Sequence, residues 1–236
     1  MSEDVRILTK NRPQETMPVA ALLILAAGML DAYTFVARGG VFANAMTGNL
    51  VVMTVYLARS QWPKALPSLA PIAAYIAGVA VAHAVKEKPL SAIIRYPARA
   101  SLALEILFLL IVAILPKSVP DMVVVVGIAF VAAVQGTSFT RVDRFAFTSV
   151  TTSANLRHFT EAATATLFFK GGPKARHETF FFALICLSFF AGAACEAVVT
   201  LKIGHAAVWL PLATLAAAFI LCLPWNKRLH RLMGTN

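Results

Sequence analysis

The sequence predicts an all-α, polytopic helical membrane protein with about six full spans and two broken or re-entrant helices. Three observations carry this. Of 236 residues, 59% are hydrophobic and 14% are charged, with a mean hydropathy of +0.74. A soluble domain carries about a quarter charged residues. The apolar residues fall in continuous runs, most near the length at which a helix crosses the hydrocarbon core, whereas barrel strands would alternate. The net charge of +10 sits mostly in short segments between those runs. That placement reads as topology signalling and contact with anionic headgroups, and not as nucleic-acid binding. Hydrophobicity this high also excludes disorder.

Eight apolar segments follow in order: 17–37, 43–58, 68–85, 100–116, 121–140, 148–169, 178–200 and 206–224. The first follows sixteen mixed-charge residues and has no A-x-A site at its end, so it reads as a span and not a signal peptide. Pro18, Pro67 and Pro211 mark the starts of the first, third and eighth segments. Trp62, Tyr96, Trp209 and Trp225 stand near segment ends, where aromatic belts form. Cys186, Cys195 and Cys222 lie inside apolar runs without CxxC spacing, which predicts buried thiols and neither a disulfide framework nor a metal site.

The second and sixth segments are different. The second opens with Asn44-Ala45-Met46-Thr47-Gly48-Asn49, and the sixth opens with Thr148 to Asn155 and then carries Arg157, His158 and Glu161. If all eight segments crossed, twelve basic residues would lie inside and eight outside. If these two enter and leave on one side, the division becomes fifteen inside and five outside. The positive-inside rule favours the second arrangement, with both termini cytoplasmic.

The two halves correspond. Thr47-Gly48-Asn49-Leu50 aligns with Ser153-Ala154-Asn155-Leu156 at an offset of 106, which also places Tyr33 on Phe139 and Arg38 on Arg144. Ile76-Ala77-Gly78 matches Phe190-Ala191-Gly192 at an offset of 114. Three spans per half would make the second half an inverted copy, a 3+3 arrangement associated with transporters. The expected organisation is a cytoplasmic tail (1–16), a first membrane repeat (17–118), a second (119–224) and a basic cytoplasmic tail (225–236).

Candidate solute-binding residues are the polar ones at the odd segments and beside them: Asp31, Asn44, Thr47, Asn49, Ser153, Asn155, Arg157, His158 and Glu161. Gly39-Gly40 permits a sharp reversal after the first span, and Thr47 or Asn49 can cap a helix starting at membrane depth. Such a start points free N–H groups at a cavity. The same polar groups also suit a purely structural turn in a broken helix. A carboxylate inside a span is expensive and a functional candidate by default, so Asp31, Glu105 and Glu196, with His158, are the candidates for proton coupling. Arg157 and Glu161 are four apart and can pair on one face. His158 and Glu161 alone make a weak metal case, and no metal or other cofactor is expected. No P-loop, GxSxG or HExxH stands in the chain, so no catalytic residues are assigned.

Gly28-Met29-Leu30-Asp31-Ala32, Gly39-Gly40-Val41-Phe42 and Asn44-Ala45-Met46-Thr47-Gly48-Asn49 resemble the opening of the YoaK-like family, domain of unknown function 1275. The resemblance runs over nearly the whole chain and implies a bacterial inner-membrane protein. It implies no activity. The residues themselves point to a secondary transporter of a small polar or anionic solute, with proton coupling open to its buried carboxylates. A channel is the alternative, as is an intramembrane enzyme acting on lipid through His158 and Glu161. The expected partners are the lipid bilayer, a small-molecule solute and a second copy of the chain.

Overall fold

The computed structural model describes residues 13–116, 118–142 and 145–223. Both extreme tails, Lys117, Arg144 and Trp225 therefore lie outside the described residues. Eight principal helices form: α1 (Met17–Ala37), α2 (Met46–Ala58), α3 (Leu69–Lys86), α4 (Pro97–Ile114), α5 (Asp121–Ser138), α6 (Ser153–Phe168), α7 (Pro173–Ile203) and α8 (Trp209–Cys222). The only strands among the described residues are Arg141–Val142 and Phe145–Ala146, one short antiparallel pair.

Each helix answers to an expected segment; α1 has the expected bounds and the others shift at one or both ends. α4 and α7 start earlier than their apolar runs, at Pro97 and Pro173. Proline at the first helical position loses only an N–H that has no partner anyway, so it starts a helix irrespective of the polarity that follows. α2 and α6 start later, because the chain before each stays non-helical.

Five stretches are long and apolar enough to cross a membrane, the last running over fifty residues from Pro173 to Cys222. Fifty residues of helix would reach about 75 Å, more than twice a hydrocarbon core. The stretch bends at Gly204, which has φ +59, and a 3-10 turn from Gly204 to Val208 redirects the chain into α8. It therefore has the length for two passes, which brings the candidate spans to six.

Contacts between helix ends fix which face each span starts from. Arg38, just past the end of α1, pairs with Asp121 at the start of α5 at 2.9 Å. His205, just past α7, reaches the same carboxylate. These ends share one face of the bundle, termed distal. At the other end of α5, the Lys86 ammonium donates to the Thr137 carbonyl at 2.7 Å, so α3 finishes on the opposite, proximal face. α3 must then begin distally, and α2, which feeds it through a three-residue turn and a short helix at Trp62–Ala65, ends distally. α2 begins beside Ala27, the midpoint of α1, because the Asn44 amide donates to the Ala27 carbonyl. A helix that starts at mid-depth and leaves on the distal face is re-entrant. α6 lies between the proximal end of α5 and the proximal start of α7, so it also fails to cross. The described membrane region begins and ends on the proximal face.

α1 is the most buried span and packs on α7 and α8. α5 packs on α3 and α4, and α4 meets α8. The closest approaches use glycine. A Cβ on Gly28 would collide with the Phe189 carbonyl of α7, and one on Gly192 with the Leu25 carbonyl of α1. Gly78 of α3 meets the Phe130 carbonyl of α5 in the same way. Without a hydrophobic drive between lipid-embedded helices, close backbone packing supplies their association.

Candidate functional site

The first non-helical approach is bonded to α1 along its length. Gly39 and Gly40 hold φ of +88 and +74, and a Cβ there would meet nothing, so the left-handed backbone and not space requires glycine. The chain then descends along α1. Thr34 Oγ1 accepts the Ala43 N–H at 3.1 Å, and the Asp31 carboxylate accepts the Asn44 N–H at 2.7 Å. Asn49, one turn into α2, reaches back. Its Oδ1 accepts the Phe42 N–H at 2.9 Å, and its Nδ2 donates to the Phe42 carbonyl at 2.8 Å. Unfolded backbone at membrane depth is tolerable only when its polar groups are satisfied in this way. Asn44 is the exception. Its Nδ2 binds α1, but its buried Oδ1 has no partner among the described residues.

The second approach repeats the device. Asn155 Oδ1 accepts the Thr148 N–H at 3.0 Å, and Nδ2 donates to the carbonyls of Thr148 at 2.8 Å and Thr151 at 3.0 Å. The Ser149 hydroxyl donates to Gln135 Oε1 of α5 at 3.3 Å.

The remaining sequence candidates are scattered. Thr47 and Ser153 are exposed on the outer faces of α2 and α6. Arg157 and Glu161 lie 3.7 Å apart on an exposed face of α6, with His158 3.6 Å from Glu161 and its ring stacked on Phe182. They do not adjoin Asp31 in this conformation. Glu105 is 2% exposed in the middle of α4, and Glu196 is fully buried in α7, where its Oε1 accepts the Thr200 hydroxyl at 3.2 Å. Among the described residues the Oε2 of each has no partner. The described residues contain no group of three His, Cys, Asp or Glu suited to a metal ion.

One cluster escapes sequence reading. Arg38 is 4% exposed, and its guanidinium donates to the Tyr33 hydroxyl from Nε at 3.0 Å and Nη2 at 2.7 Å, and to Asp121 from Nη1 at 2.9 Å. The Tyr33 hydroxyl donates in turn to the His205 carbonyl at 3.3 Å. By sequence Arg38 is a loop charge. Asp121 stands where a helix N-terminus favours a carboxylate. Nothing along a separation of 83 residues says that the two meet.

Residues 19–221 match the family described as protein of unknown function (DUF1275). The chain belongs to this family. A relative, the UPF0700 transmembrane protein YoaK of Bacillus subtilis (strain 168), is 26% identical over 196 residues, covering 81% of this chain and 87% of that protein. No solved structure matches. The DUF1275 chain is thus a membrane protein with transmembrane helices.

Proposed function

We propose that this protein is a secondary transporter of a small polar or anionic solute, built from inverted three-span repeats at residues 17–118 and 119–224. The observation that carries the reading is the matched pair of interrupted helices. Asn49 grips Phe42 and Asn155 grips Thr148 through the same two bonds, at the offset of 106 that aligns the halves. The packing supports it, since α1 pairs with the last two spans of the second half and α5 with the last two of the first. Spans of opposite sense with discontinuous helices at equivalent positions suit alternating access around a central site.

In this reading the solute meets the region of Asp31 and Asn44, where a buried acceptor stands free beside a carboxylate. Asp31, Glu105 and Glu196 are the proton-coupling candidates. Arg157, His158 and Glu161 face outward and would serve a vestibule or the surface of a second copy. The positive-inside count makes the proximal face cytoplasmic, in a bacterial inner membrane, with both termini inside. Arg38–Asp121 joins the two halves and closes the distal mouth. At the offset of 106, Arg38 aligns with Arg144 and Glu15 with Asp121 in the sequence.

The test needs no substrate. A single cysteine replaces Ala45 in a cysteine-free background, and a membrane-impermeant maleimide is added from the distal side. Arg38→Ala should accelerate labelling at least several-fold with the fold intact. An unchanged rate would remove the gate and, with it, alternating access through this loop. In proteoliposomes, saturable proton-driven uptake from a panel of phosphate, carboxylates and amino acids supports a transporter. Flux that never saturates indicates a channel.

A further inference from the structure

The turn joining α6 to α7 has no place in the transport reading, yet its chemistry is specific. Leu167, Phe168 and Phe169 are each about three-quarters exposed, in one consecutive run. Lys170 follows with φ +51, a left-handed conformation for which glycine or asparagine is the ordinary choice. A lysine in this backbone conformation is an outlier that asks for a reason. Gly171 cannot be replaced without cost, since a Cβ would press on Ala165 and Ala175, so the turn is tightly built. Beside it opens a cleft of about 370 Å3, lined by Thr166, Lys170, Gly171, Gly172 and Arg176. Among the described residues neither Lys170 nor Arg176 forms an ion pair, and Glu178 is the only carboxylate within four positions of Arg176.

We propose that this turn is a binding site for an anionic phospholipid of the proximal leaflet. Lys170 and Arg176 would hold the headgroup phosphate in the cleft. Leu167, Phe168 and Phe169 enter the acyl region beside it. An amphipathic ligand matches the site because cations and apolar side chains adjoin along one turn. Aromatic side chains beside basic ones are the ordinary furniture of a membrane interface. A free anion would use the cleft and ignore the apolar run.

Purified full-length protein in detergent micelles is titrated with dioctanoyl phosphatidylglycerol, dioctanoyl phosphatidylcholine or inorganic phosphate, and bound lipid is counted by native mass spectrometry. Phosphatidylglycerol should bind more tightly than phosphatidylcholine, and K170Q/R176Q should weaken it roughly thirtyfold. The distal control K64Q should bind as the wild type does. K170G is the discriminating variant. It relieves the left-handed strain, so its melting temperature should hold or rise while phosphatidylglycerol binding falls. As a readout independent of those variants, a single cysteine at Thr166 in a cysteine-free background should label more slowly when phosphatidylglycerol is present. Equal binding by K170Q/R176Q, or labelling at Thr166 indifferent to phosphatidylglycerol, overturns the site. Protection by inorganic phosphate as strong as that by phosphatidylglycerol overturns the lipid assignment in favour of a free-anion site.

Discussion

Asn49 holds both backbone polar groups of Phe42 with one side-chain amide, seven residues ahead of it in the chain. The carboxamide thus does for the interrupted helix what another strand or helix turn would do, presenting a donor and an acceptor in one plane. Asn155 holds Thr148 by the same geometry. Asn49→Ala leaves the Phe42 N–H and carbonyl unpaired, which costs about 2–6 kcal/mol at 1–3 for each orphaned group. Unfolding in micelles measures it, and Asn155→Ala should behave alike. Solute affinity falling in Asn49→Ala with stability unchanged would assign the residue to binding instead.

The Asp31 carboxylate carries two roles that two substitutions separate. Asp31→Asn keeps an oxygen to accept the Asn44 N–H, so stability should change by less than about 1 kcal/mol. Asp31→Ala loses the acceptor and should cost about 1–3 kcal/mol. If Asp31 also carries a proton during transport, Asp31→Asn abolishes gradient-driven uptake in a protein that still folds. Retention of uptake by Asp31→Asn would leave only the structural role.

The α1–α7 crossing rests on Gly28 and Gly192, each facing a carbonyl of the other helix. Gly28→Ala or Gly192→Ala should destabilise by about 1–3 kcal/mol through overpacking. The double variant should cost less than the sum, because either methyl already parts the helices. Gly172→Ala, where a Cβ meets open space, should fall within about 0.5 kcal/mol of the wild type. Melting curves of the four proteins decide.

Arg38 loses more from a changed partner than Asp121 does, because Arg38 is buried and Asp121 is about half exposed. Arg38→Lys keeps the charge but cannot hold Tyr33 through two nitrogens and Asp121 through a third. It should therefore open the distal mouth nearly as far as Arg38→Ala, read by maleimide labelling at Ala45. Labelling at the wild-type rate in Arg38→Lys would show that charge alone closes the mouth.

Sidedness is checked with single cysteines replacing Lys64, Lys88 and Lys174. Lys64 follows the distal end of α2, whereas Lys88 and Lys174 adjoin proximal helix ends. Lys64 should label from one side and the other two from the opposite side. A Lys64 cysteine labelling together with Lys88 would mean that α2 crosses.

The sequence by itself determined the class and the segments. Continuous apolar runs can be satisfied in lipid only as helices, and that constraint is local, so all eight helices were legible from residue order. The two interrupted helices were legible too, since Asn44 to Asn49 and Thr148 to Asn155 place too many polar groups at membrane depth for plain spans. Only the tertiary structure decided what those groups do. Asn49 and Asn155 read as candidate ligands, yet both are spent on backbone seven residues away, and no local pattern says which polar group an amide will reach. The Arg38–Asp121 pair and the opposed Gly28 and Gly192 join residues from different halves of the chain. Such partners are set by how helices lie against one another in the bilayer, through close packing that many small-residue patterns satisfy equally well until the bundle forms.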